Sequence, residues 1–596
     1  MTRLAKVVFA LLVIATGGAF FAAQKLKTSA PIVISFRLKL KTISPNGDGR
    51  ADNQQITFLL KRSEVVDVSV VDQRGDNVRE LVSGVQLPAY RMIGPIIWNG
   101  RTDDGRIAPD GRYRIAIRLR REGRRIVVPK LFHVDDTPPK VVVNSIGPDA
   151  SAGPEVLPRR DNQPAQIVIS TAAHDGQLKI FRTWPRPVQL VATVPLKNGS
   201  TTGSWDGHGD DGKAVRAGTY LVVAETRDQA GVLGTSVPLD AAGLPRTVYG
   251  QPLPGHGGIT VRTIAVEPPL LPVEAGAPVG VNVDGSGNRF GWNLSRLNGA
   301  AVRHGASAAA EVFVRPPGKA SQLYLFTANR GSNRAAAPLA VDDAQSHPVL
   351  VVLPLMTWQG LNPVDDNGDG EPNMLPTGGP VKLARVLGTP LPARFGVQER
   401  PIMRWLERTH RRYDLTTDYA LARGRGPKLA GHSGVLLVGD TVWLPTATAE
   451  QLRSFVTKGG TVVEAGTNSL LRAVTLSNAA DLTHPLPAAT SDIFGSTIAP
   501  LRKGTFNLKA GKDQIGLFSG TSGIFTNYDV IEQTEATTGT KPLASATSAE
   551  GGVVIVAFAL GRGTVIRYGL PQLPSRLASD PDLQGLMESS WRLLSR

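Results

Sequence analysis

One acidic loop in the sequence combines the residue types and the spacing of a calcium ligand set. Asp365, Asn367 and Asp369 alternate in the pattern D-x-N-x-D-G, and Glu371 follows two positions later. Oxygen-bearing side chains at alternate positions can turn towards one point, and the glycine permits the sharp bend that such a loop needs. The twelfth position of a full calcium-binding loop falls on Pro376 instead of glutamate. The pattern therefore predicts a Ca²⁺ site without the complete loop, and a solvated acidic turn is the alternative.

A second, shorter acidic set lies nearer the N-terminus. Asn46, Asp48 and Asp52 carry side-chain oxygens at close spacing, so we expect either a second Ca²⁺ site or an Asx-type turn. Two further acidic pairs, in 103–105 and 210–212, lie between strand-like segments and end in glycine. These two pairs predict hairpin turns rather than metal sites.

His432 stands next to Ser433, and a histidine beside a serine can activate the hydroxyl as a nucleophile. The pair does not complete G-x-S-x-G, because Val435 occupies the position of the second glycine. A loop before a buried strand is therefore the alternative for this candidate catalytic residue. Other histidines are isolated, without the H-x-x-x-H spacing of metal ligands: His347, His410 and His484.

The composition excludes some chemistry and favours certain partners. The 596 residues include no cysteine, which excludes disulfides, thiolate metal sites and a cysteine nucleophile. The formal net charge of +16 favours anionic partners. Because the sequence shows none of the folds that read nucleic acid directly, we expect no nucleic-acid partner and favour anionic lipid or cell-envelope polymer.

Arginines crowd one predicted hairpin between residues 112 and 125. Four of them alternate with apolar neighbours, so they should share one face of a sheet. A solvated face is one interpretation, and contact with anionic lipid or wall polymer is the other. The set consists of Arg112, Arg114, Arg118, Arg120, Arg121, Arg124 and Arg125.

An apolar run extends from Val7 to Ala23 and follows Arg3 and Lys6. Such a run is typical of a signal peptide or of a membrane anchor. Bulky aromatic residues occupy the positions where a cleavage site needs small side chains. We therefore favour an uncleaved signal anchor over a cleaved signal. The chain is expected to cross the cell membrane once, with its bulk outside the cytoplasm.

A tryptophan-led phrase occurs twice in the first half of the chain. From Trp98 to Tyr113, and again from Trp205 to Tyr220, the sequence follows W-x-G-x-x-D-D-G-x5-G-x-Y. A repeat of this length indicates a duplicated domain. Alternating strand-like segments around both copies predict β-sandwiches. The tryptophans and tyrosines are expected in their cores.

The sequence pattern changes at Pro348. Continuous apolar runs now appear, typical of strands buried on both faces of a parallel sheet. Their alternation with amphipathic segments predicts βαβ units. The predicted strands lie at 349–353, 434–439 and 461–465, the helices near 400–411, 447–456 and 580–594, and a hairpin at 552–568.

The tryptophan phrases resemble the FlgD-like immunoglobulin domain of flagellar hook-cap proteins, which is appended to many bacterial surface proteins. The motif S-P-N-G-D-G at 44–49 precedes the first copy, and the segment 160–162 stands in its place before the second. The resemblance covers roughly 40–243. It implies an immunoglobulin-like module rather than a role in hook assembly.

Residues 260–596 resemble the C-terminal domain of the large (β) subunit of N,N-dimethylformamidase, with weaker similarity to glutamine-amidotransferase-type α/β folds. The segments 353–362, 430–433 and 455–460 carry the resemblance. It implies, in members active on formamides, a mononuclear iron held by two tyrosines and a glutamate. The tyrosine that usually follows Gly-His is missing after His432. Tyr413 and Glu464 remain as candidate ligands or catalytic residues.

Together these features predict a multidomain protein, with N-terminal immunoglobulin-like β-sandwiches before an α/β domain of glutamine-amidotransferase-like or flavodoxin-like type. The predicted parts are an anchor (1–30), two FlgD-like sandwiches (31–139 and 140–243), a linker (244–258), a β part (259–345) and the α/β domain (346–596). Our leading hypothesis is a membrane-anchored stalk that presents a non-catalytic binding module. A metal-dependent amide (C–N) hydrolase and a surface-assembly or adhesion protein are the alternatives.

Overall fold

The protein is multidomain and rich in strands. Three β units follow an N-terminal helix, and a large mixed sheet with helices forms the C-terminal unit. The computed structural model describes residues 3–27, 32–147, 155–157, 164–173, 175–197, 199–246, 257–285, 287–318, 320–343, 345–537 and 541–596.

The chain begins with helix α1 (Arg3–Lys27). Within the described ranges, it is the one helix long and apolar enough to cross a membrane. Its apolar window, Ala5–Ala22, is not buried against the rest of the protein. A helix of this length matches the hydrocarbon core of a bilayer, and a signal sequence has the same character.

The first β unit encloses one hydrophobic core between two sheets. Its strands are β1 (Val33–Leu38), β2 (Thr42–Ile43), β3 (Gln54–Leu60), β4 (Glu64–Val71), β5 (Asn77–Leu87), β6 (Met92–Trp98), β7 (Gly111–Leu119), β8 (Arg124–Val127) and β9 (Phe132–Val134). One sheet has the order β1-β3-β6, and the other β2-β9-β7-β4-β5 with β8 on β7. Strands β3 and β4 bury alternate residues, so Ile56 from one sheet and Val68 from the other join one core.

The second β unit repeats this arrangement. Its strands are β10 (Val141–Ile146), β11 (Glu155–Leu157), β12 (Ala165–Thr171), β13 (Asp175–Trp184), β14 (Gln189–Leu196), β15 (Thr202–Trp205), β16 (Gly218–Arg227), β17 (Leu233–Thr235) and β18 (Gly258–Val261). One sheet has the order β10-β12-β15, and the other β11-β18-β16-β13-β14 with β17 on β16. Strand β18 pairs with β16, so this unit takes its last strand from beyond the predicted boundary at 243.

The third β unit lacks the tryptophan phrase but also has two sheets. Its strands are β19 (Ala265–Val266), β20 (Val273–Glu274), β21 (Val279–Asp284), β22 (Phe290–Arg296), β23 (Ala301–Ser307), β24 (Glu311–Val314), β25 (Gln322–Arg330) and β26 (Asn333–Asp342). The sheet orders are β19-β21-β24 and β20-β26-β25-β22-β23. A single core of aliphatic and aromatic side chains lies between them.

The C-terminal unit is built on an eleven-stranded sheet. Its elements are β27 (Val349–Leu353), α2 (Leu355–Gly360), a 3-10 turn (Leu375–Thr377), β28 (Val381–Lys382), α3 (Glu399–Arg408), β29 (Asp414–Thr417), α4 (Asp418–Ala422), β30 (Gly434–Leu437), β31 (Trp443–Leu444), α5 (Thr446–Thr457), β32 (Thr461–Glu464), β33 (Arg472–Ala473), β34 (Thr475–Leu476), β35 (Asp481–Thr483), β36 (Thr497–Ile498), β37 (Arg502–Asp513), β38 (Ile524–Ile531), β39 (Thr534–Ala536), β40 (Ala544–Ser548), β41 (Val553–Leu560), β42 (Gly563–Tyr568), α6 (Leu573–Arg576) and α7 (Pro581–Leu594).

Five of the eleven strands are parallel and buried on both faces. Strands β29, β27, β30, β32 and β42 lie side by side and run in the same direction. Alternate side chains of β27 enter two different hydrophobic cores, one on each face of the sheet. Val351 belongs to the core that includes residues of α7, and Val352 belongs to the core that includes residues of α5. The parallel strands therefore have a common amino edge and a common carboxyl edge, where polar side chains from distant parts of the sequence meet.

Candidate functional site

Two histidines and two aspartates meet at the amino edge of the parallel strands. Asp414 is the first residue of β29, and His432 and His347 each lie two residues before β30 and β27. Asp343 follows the last strand of the third β unit. Since the amino ends of neighbouring parallel strands adjoin, strand pairing brings these four side chains together.

The four side chains, which we call the amino-edge cluster, are linked by short contacts. His432 Nε2 lies 2.8 Å from Asp414 Oδ2, and His347 Nε2 lies 3.1 Å from Asp343 Oδ2. His347 Nε2 is also 4.0 Å from Asp414 Oδ1, which accepts a 3.2 Å hydrogen bond from the His347 backbone N–H. Each side chain is at most 10% exposed. The cluster is therefore an organised polar group inside the protein.

A cleft of about 450 Å³ opens beside the amino-edge cluster. Asp414 and His432 line it together with the acidic residues Glu274 and Asp342 and the basic residue Lys428. The cleft lies between the third β unit and the C-terminal unit, because both contribute to its wall. It gives the cluster a route to solvent and to small ligands.

The Asp343 carboxyl remains ionised in this setting. Burial alone would raise its pKa, but hydrogen bonds from His347 and from the backbone N–H of Gln345 outweigh that effect and lower the pKa below its usual range. The cluster thus contains a carboxylate at neutral pH.

His432 and Ser433 do not form the nucleophile and base pair that their adjacency allows. The Ser433 hydroxyl donates to the carbonyl oxygen of Leu594 at 2.7 Å and lies 3.2 Å from that of Pro348. His432 instead faces Asp414. The hydroxyl holds the C-terminal helix against the sheet, while the imidazole belongs to the amino-edge cluster.

Tyr413 lies in the hydrophobic core. It is 2% exposed, and its ring centroid is 6.5 Å from that of Trp591, in an edge-on arrangement. Burial raises the pKa of the phenol well above its usual range. The phenol is therefore protonated and packed, which are not the properties of a metal ligand.

Glu464 lies in a buried ionic network around Arg567. The Arg567 guanidinium is 2.5 Å from Glu464 Oε2 and 2.5 Å from Glu532 Oε2, and it is 3.4 Å from Asp492 Oδ2. Burial raises the pKa of Glu464 to about 8, although the nearby arginine opposes the shift. Glu464 is therefore one of three carboxyls that pair with a single buried guanidinium.

Tyr413 and Glu464 lie at opposite edges of the sheet. Tyr413 immediately precedes β29, at the amino edge, whereas Glu464 is the last residue of β32, at the carboxyl edge. Four-residue strands extend roughly 13 Å at the usual rise per residue. The structure therefore does not bring these two predicted candidates together around one ion.

At the carboxyl edge of the parallel strands, buried acids contact the loops that follow the strands. A Cβ atom placed on Gly439 would lie 2.2 Å from Glu399 Oε1, so the loop after β30 packs directly on this carboxyl. Burial raises the pKa of Glu399 to about 8 and that of Asp418, which accepts the Met356 N–H, to about 7. These acids hold loops in place at this edge.

The predicted calcium loop is a compact turn whose oxygens accept hydrogen bonds from its own backbone. Asp365 accepts from the N–H of Gly368 at 2.7 Å and of Gly370 at 2.8 Å, and the Asn367 amide donates to Asp369 at 2.9 Å. Burial, reinforced by nearby Asp369, raises the pKa of Asp365 to about 7. The structure thus places the predicted residues in one loop. The buried Asp365 carboxyl in this loop lies near another acid, Asp369, which disfavours its ionised form.

The same loop connects the C-terminal unit to the second β unit. Gly368 O accepts from the Gly258 N–H at 2.8 Å, and Gly370 O accepts from the Thr183 hydroxyl at 2.5 Å. Glu371 Oε2 lies 2.9 Å from the Arg186 guanidinium of the second β unit. We call this set of contacts the inter-unit joint.

The second predicted calcium set forms an exposed loop with turn hydrogen bonds. Asp52 accepts from the N–H groups of Gly47 and Gly49, both at 2.9 Å, and Asn46 accepts from the Asp48 N–H at 2.9 Å. The Asn46 bond is that of an Asx-type turn, the alternative interpretation. Ca²⁺ binding there stays a prediction.

Sequence inspection missed most of the amino-edge cluster. Only His432 is a candidate from the sequence, and His347 appears isolated because its partners are distant along the chain. The sequence does contain one indication of the cluster, which is the position of its residues along the chain. His347, Asp414 and His432 each lie at or just before the start of an apolar strand.

Comparison with known families gives one match. Residues 308–489 match the family described as N,N-dimethylformamidase beta subunit-like, C-terminal. This range covers the end of the third β unit and the first part of the C-terminal unit, including the whole amino-edge cluster. A search of curated proteins found no match.

Solved structures give only distant similarities. An exo-β-1,4-mannosidase from Opitutaceae bacterium strain TAV5 is 14% identical, over 42% of this chain and 36% of that one, with a TM-score of 0.25. A β-galactosidase from Bacillus circulans sp. alkalophilus is 14% identical, over 42% and 32%, with a TM-score of 0.27. This chain thus covers about a third of each, and scores this low support no conclusion about fold or activity.

Proposed function

We propose that this chain is a membrane-anchored, extracytoplasmic bacterial protein. In this proposal two FlgD-like immunoglobulin sandwiches form a stalk. The stalk presents a dimethylformamidase-like module, with an amidotransferase-like α/β core, that binds a ligand rather than hydrolysing an amide. The proposal that the module does not catalyse amide hydrolysis rests on one observation: Tyr413 and Glu464 lie at opposite edges of the sheet.

The repeated environment of the tryptophan phrases supports the stalk. Trp98 Nε1 donates to the carbonyl three residues ahead at 2.8 Å, and Trp205 Nε1 does the same at 2.7 Å. The hydroxyls of Tyr113 and Tyr220 both donate to the carbonyl four residues behind, at 2.6 Å. A tyrosine bonded to upstream backbone at a sheet corner is a feature of immunoglobulin-type sandwiches.

Helix α1 supports the anchoring. It leads directly into the first β unit, so an anchored helix would place the stalk next to the bilayer. The arginine-rich hairpin formed by β7 and β8 belongs to that same unit. Anionic lipid or envelope polymer is therefore the partner we propose for this hairpin.

The metal content and the amidase activity of the full-length protein test the proposal that the module is not catalytic. We expect protein purified in detergent without chelator to contain far less than one iron per chain and to release no amine from formamides. Glu464→Gln and Tyr413→Phe should leave the iron content unchanged. Tyr419→Phe, at a partly buried tyrosine in the same unit, is the matched control.

One iron per chain, lost specifically in Glu464→Gln or Tyr413→Phe, would contradict this proposal. It would favour the alternative of a metal-dependent hydrolase of C–N bonds.

A further inference from the structure

The amino-edge cluster has the donor atoms of a metal site. Asp343, His347 and Asp414 form the one group of three His, Asp or Glu residues, within the described ranges, whose possible ligand atoms all lie within 4.8 Å of one another. Three atoms at this spacing can contact one ion after small side-chain movements, because each metal–ligand bond is about 2 Å long.

His432 is placed as an outer partner of these ligands. Its Nε2 lies 2.8 Å from Asp414 Oδ2, whereas His347 Nε2 lies 4.0 Å from the other oxygen, Asp414 Oδ1. The imidazole is 4% exposed, and its Nδ1 is buried without a hydrogen-bond partner in the described structure. An imidazole held against this carboxylate fixes the carboxylate orientation, as outer-shell groups do at metal sites.

The electrostatic setting favours a cation. Two carboxylates are buried beside His347, and the adjoining cleft adds the acidic residues Glu274 and Asp342. Buried charges are costly unless they are paired or coordinate a metal. A divalent ion would neutralise the pair of carboxylates, and the cleft supplies the entry path that a metal site requires.

The donor set also indicates the class of metal. One imidazole nitrogen and two carboxylate oxygens suit Zn²⁺ and similar first-row transition ions, whereas Ca²⁺ and Mg²⁺ prefer oxygen ligands alone. Three protein ligands leave a fourth position for water or a small anionic group. Asp414 lines the cleft, so that position faces a space accessible to ligand.

We propose that Asp343, His347 and Asp414 bind a divalent transition metal ion of the Zn²⁺ class, with His432 orienting Asp414 and the open position facing the cleft. This site is separate from the Tyr413 and Glu464 candidates and from the 365–371 loop. It does not depend on whether the module hydrolyses amides.

The test is a calorimetric titration of full-length, metal-stripped protein in detergent with ZnCl₂. We expect one saturable site per chain. His347→Gln should abolish it, and Asp343→Asn should weaken it because a neutral amide is a poorer ligand. His432→Gln should weaken it by about tenfold or more, as loss of an outer-shell partner does. His304→Gln, at an exposed histidine in β23, should bind as the unchanged chain does.

A folding control separates loss of ligands from loss of structure. Near-ultraviolet circular dichroism of each metal-free variant should match that of the unchanged chain. If Asp343→Asn does not fold, His347→Gln alone decides the outcome. Absence of a saturable Zn²⁺ site in the unchanged chain would overturn the proposal, as would undiminished binding in folded His347→Gln. Zn²⁺ binding that survives in Asp369→Asn would show that the calcium loop is not responsible.

Discussion

Arg567 is the residue on which the buried ionic network depends. Its guanidinium contacts three carboxyls and is 1% exposed, so removing it would leave those acids without their cation. An exposed pair with the same chemistry, Arg502 and Glu550, lies in the same unit. The two arginines allow the effect of burial to be measured with one type of substitution.

We expect Arg567→Met to lower the free energy of unfolding of the C-terminal unit by about 3–5 kcal/mol, the usual cost of an unpaired buried charge. Arg502→Met should change it by less than about 1 kcal/mol, because exposed ion pairs contribute little. Urea denaturation followed by tryptophan fluorescence gives both values. Equal effects from the two substitutions would show that the network does not stabilise the fold.

Glu399 should make stability depend on pH. Burial raises its pKa in the folded protein to about 8 from an ordinary value of 4.5. Between these two pH values the unfolded chain has lost the proton while the folded chain retains it, so stability falls as pH rises. The contribution is complete below pH 4.5 and is lost as pH passes through about 8.

The melting temperature measured from pH 5 to 9 checks this expectation. Glu399→Gln should flatten the decline relative to the unchanged chain, since the amide cannot ionise. Glu450→Gln, at an exposed position on α5, should keep the full decline. An identical pH profile for Glu399→Gln and the unchanged chain would rule out this role for Glu399.

At the scale of elements, some arginines of the hairpin of β7 and β8 bond to other residues of the first β unit, and others extend into solvent. Arg120 pairs with Asp67 at 2.7 Å, and Arg114 donates to the carbonyl of Gln73 at 2.9 Å. Arg112 and Arg118 alternate with buried residues of β7 and are exposed, as the sequence predicts. The exposed members are therefore the ones available to an anionic partner.

We expect the triple variant Arg112→Gln, Arg118→Gln, Arg124→Gln to bind vesicles of mixed neutral and anionic lipid several-fold more weakly than the unchanged chain. Each basic residue near an anionic surface contributes about 1 kcal/mol at most. The measurement is co-flotation with these vesicles, using chains that lack residues 1–30 so that α1 does not dominate.

The control variant removes the same charge elsewhere: Arg303→Gln, Arg315→Gln, Lys503→Gln, all at exposed positions. It should bind as the unchanged chain does, and added salt should weaken all binding. If both triple variants bind equally weakly, net charge rather than the hairpin determines the affinity.

At the scale of the whole molecule, the inter-unit joint connects the second β unit to the C-terminal unit through the 365–371 loop. Its contacts include Thr183 with Gly370 and Arg186 with Glu371. An ion bound in this loop would neutralise Asp365 and stiffen the joint. Bound Ca²⁺ would therefore stabilise the contact between the second β unit and the C-terminal unit rather than one unit alone.

We expect millimolar Ca²⁺ to raise the melting temperature of the full chain and to slow proteolysis between the units, because ligands that bind only the folded state stabilise it. Asp369→Asn should abolish both effects. Asp52→Asn, in the other acidic loop, should abolish neither. If Ca²⁺ has no effect on the unchanged chain, the loop is a turn held by its own hydrogen bonds.

Local patterns determined much of the secondary structure. Helices α5 (Thr446–Thr457) and α7 (Pro581–Leu594) and the hairpin of β41 and β42 occur where periodicity predicts them. Trp98 and Trp205 are core residues, as their repeated phrase indicates. These features follow from contacts between residues close in sequence, or from the simple requirement that apolar side chains be buried.

Only the tertiary structure decided which polar residues meet. Strand pairing in the parallel sheet places Asp414, His432 and His347 at one edge, although each appears unremarkable in its own segment. The same pairing separates Tyr413 from Glu464. The physical reason is that a site requires convergence of side chains from several strands, and strand order and direction are set by packing of the whole sheet rather than by local sequence.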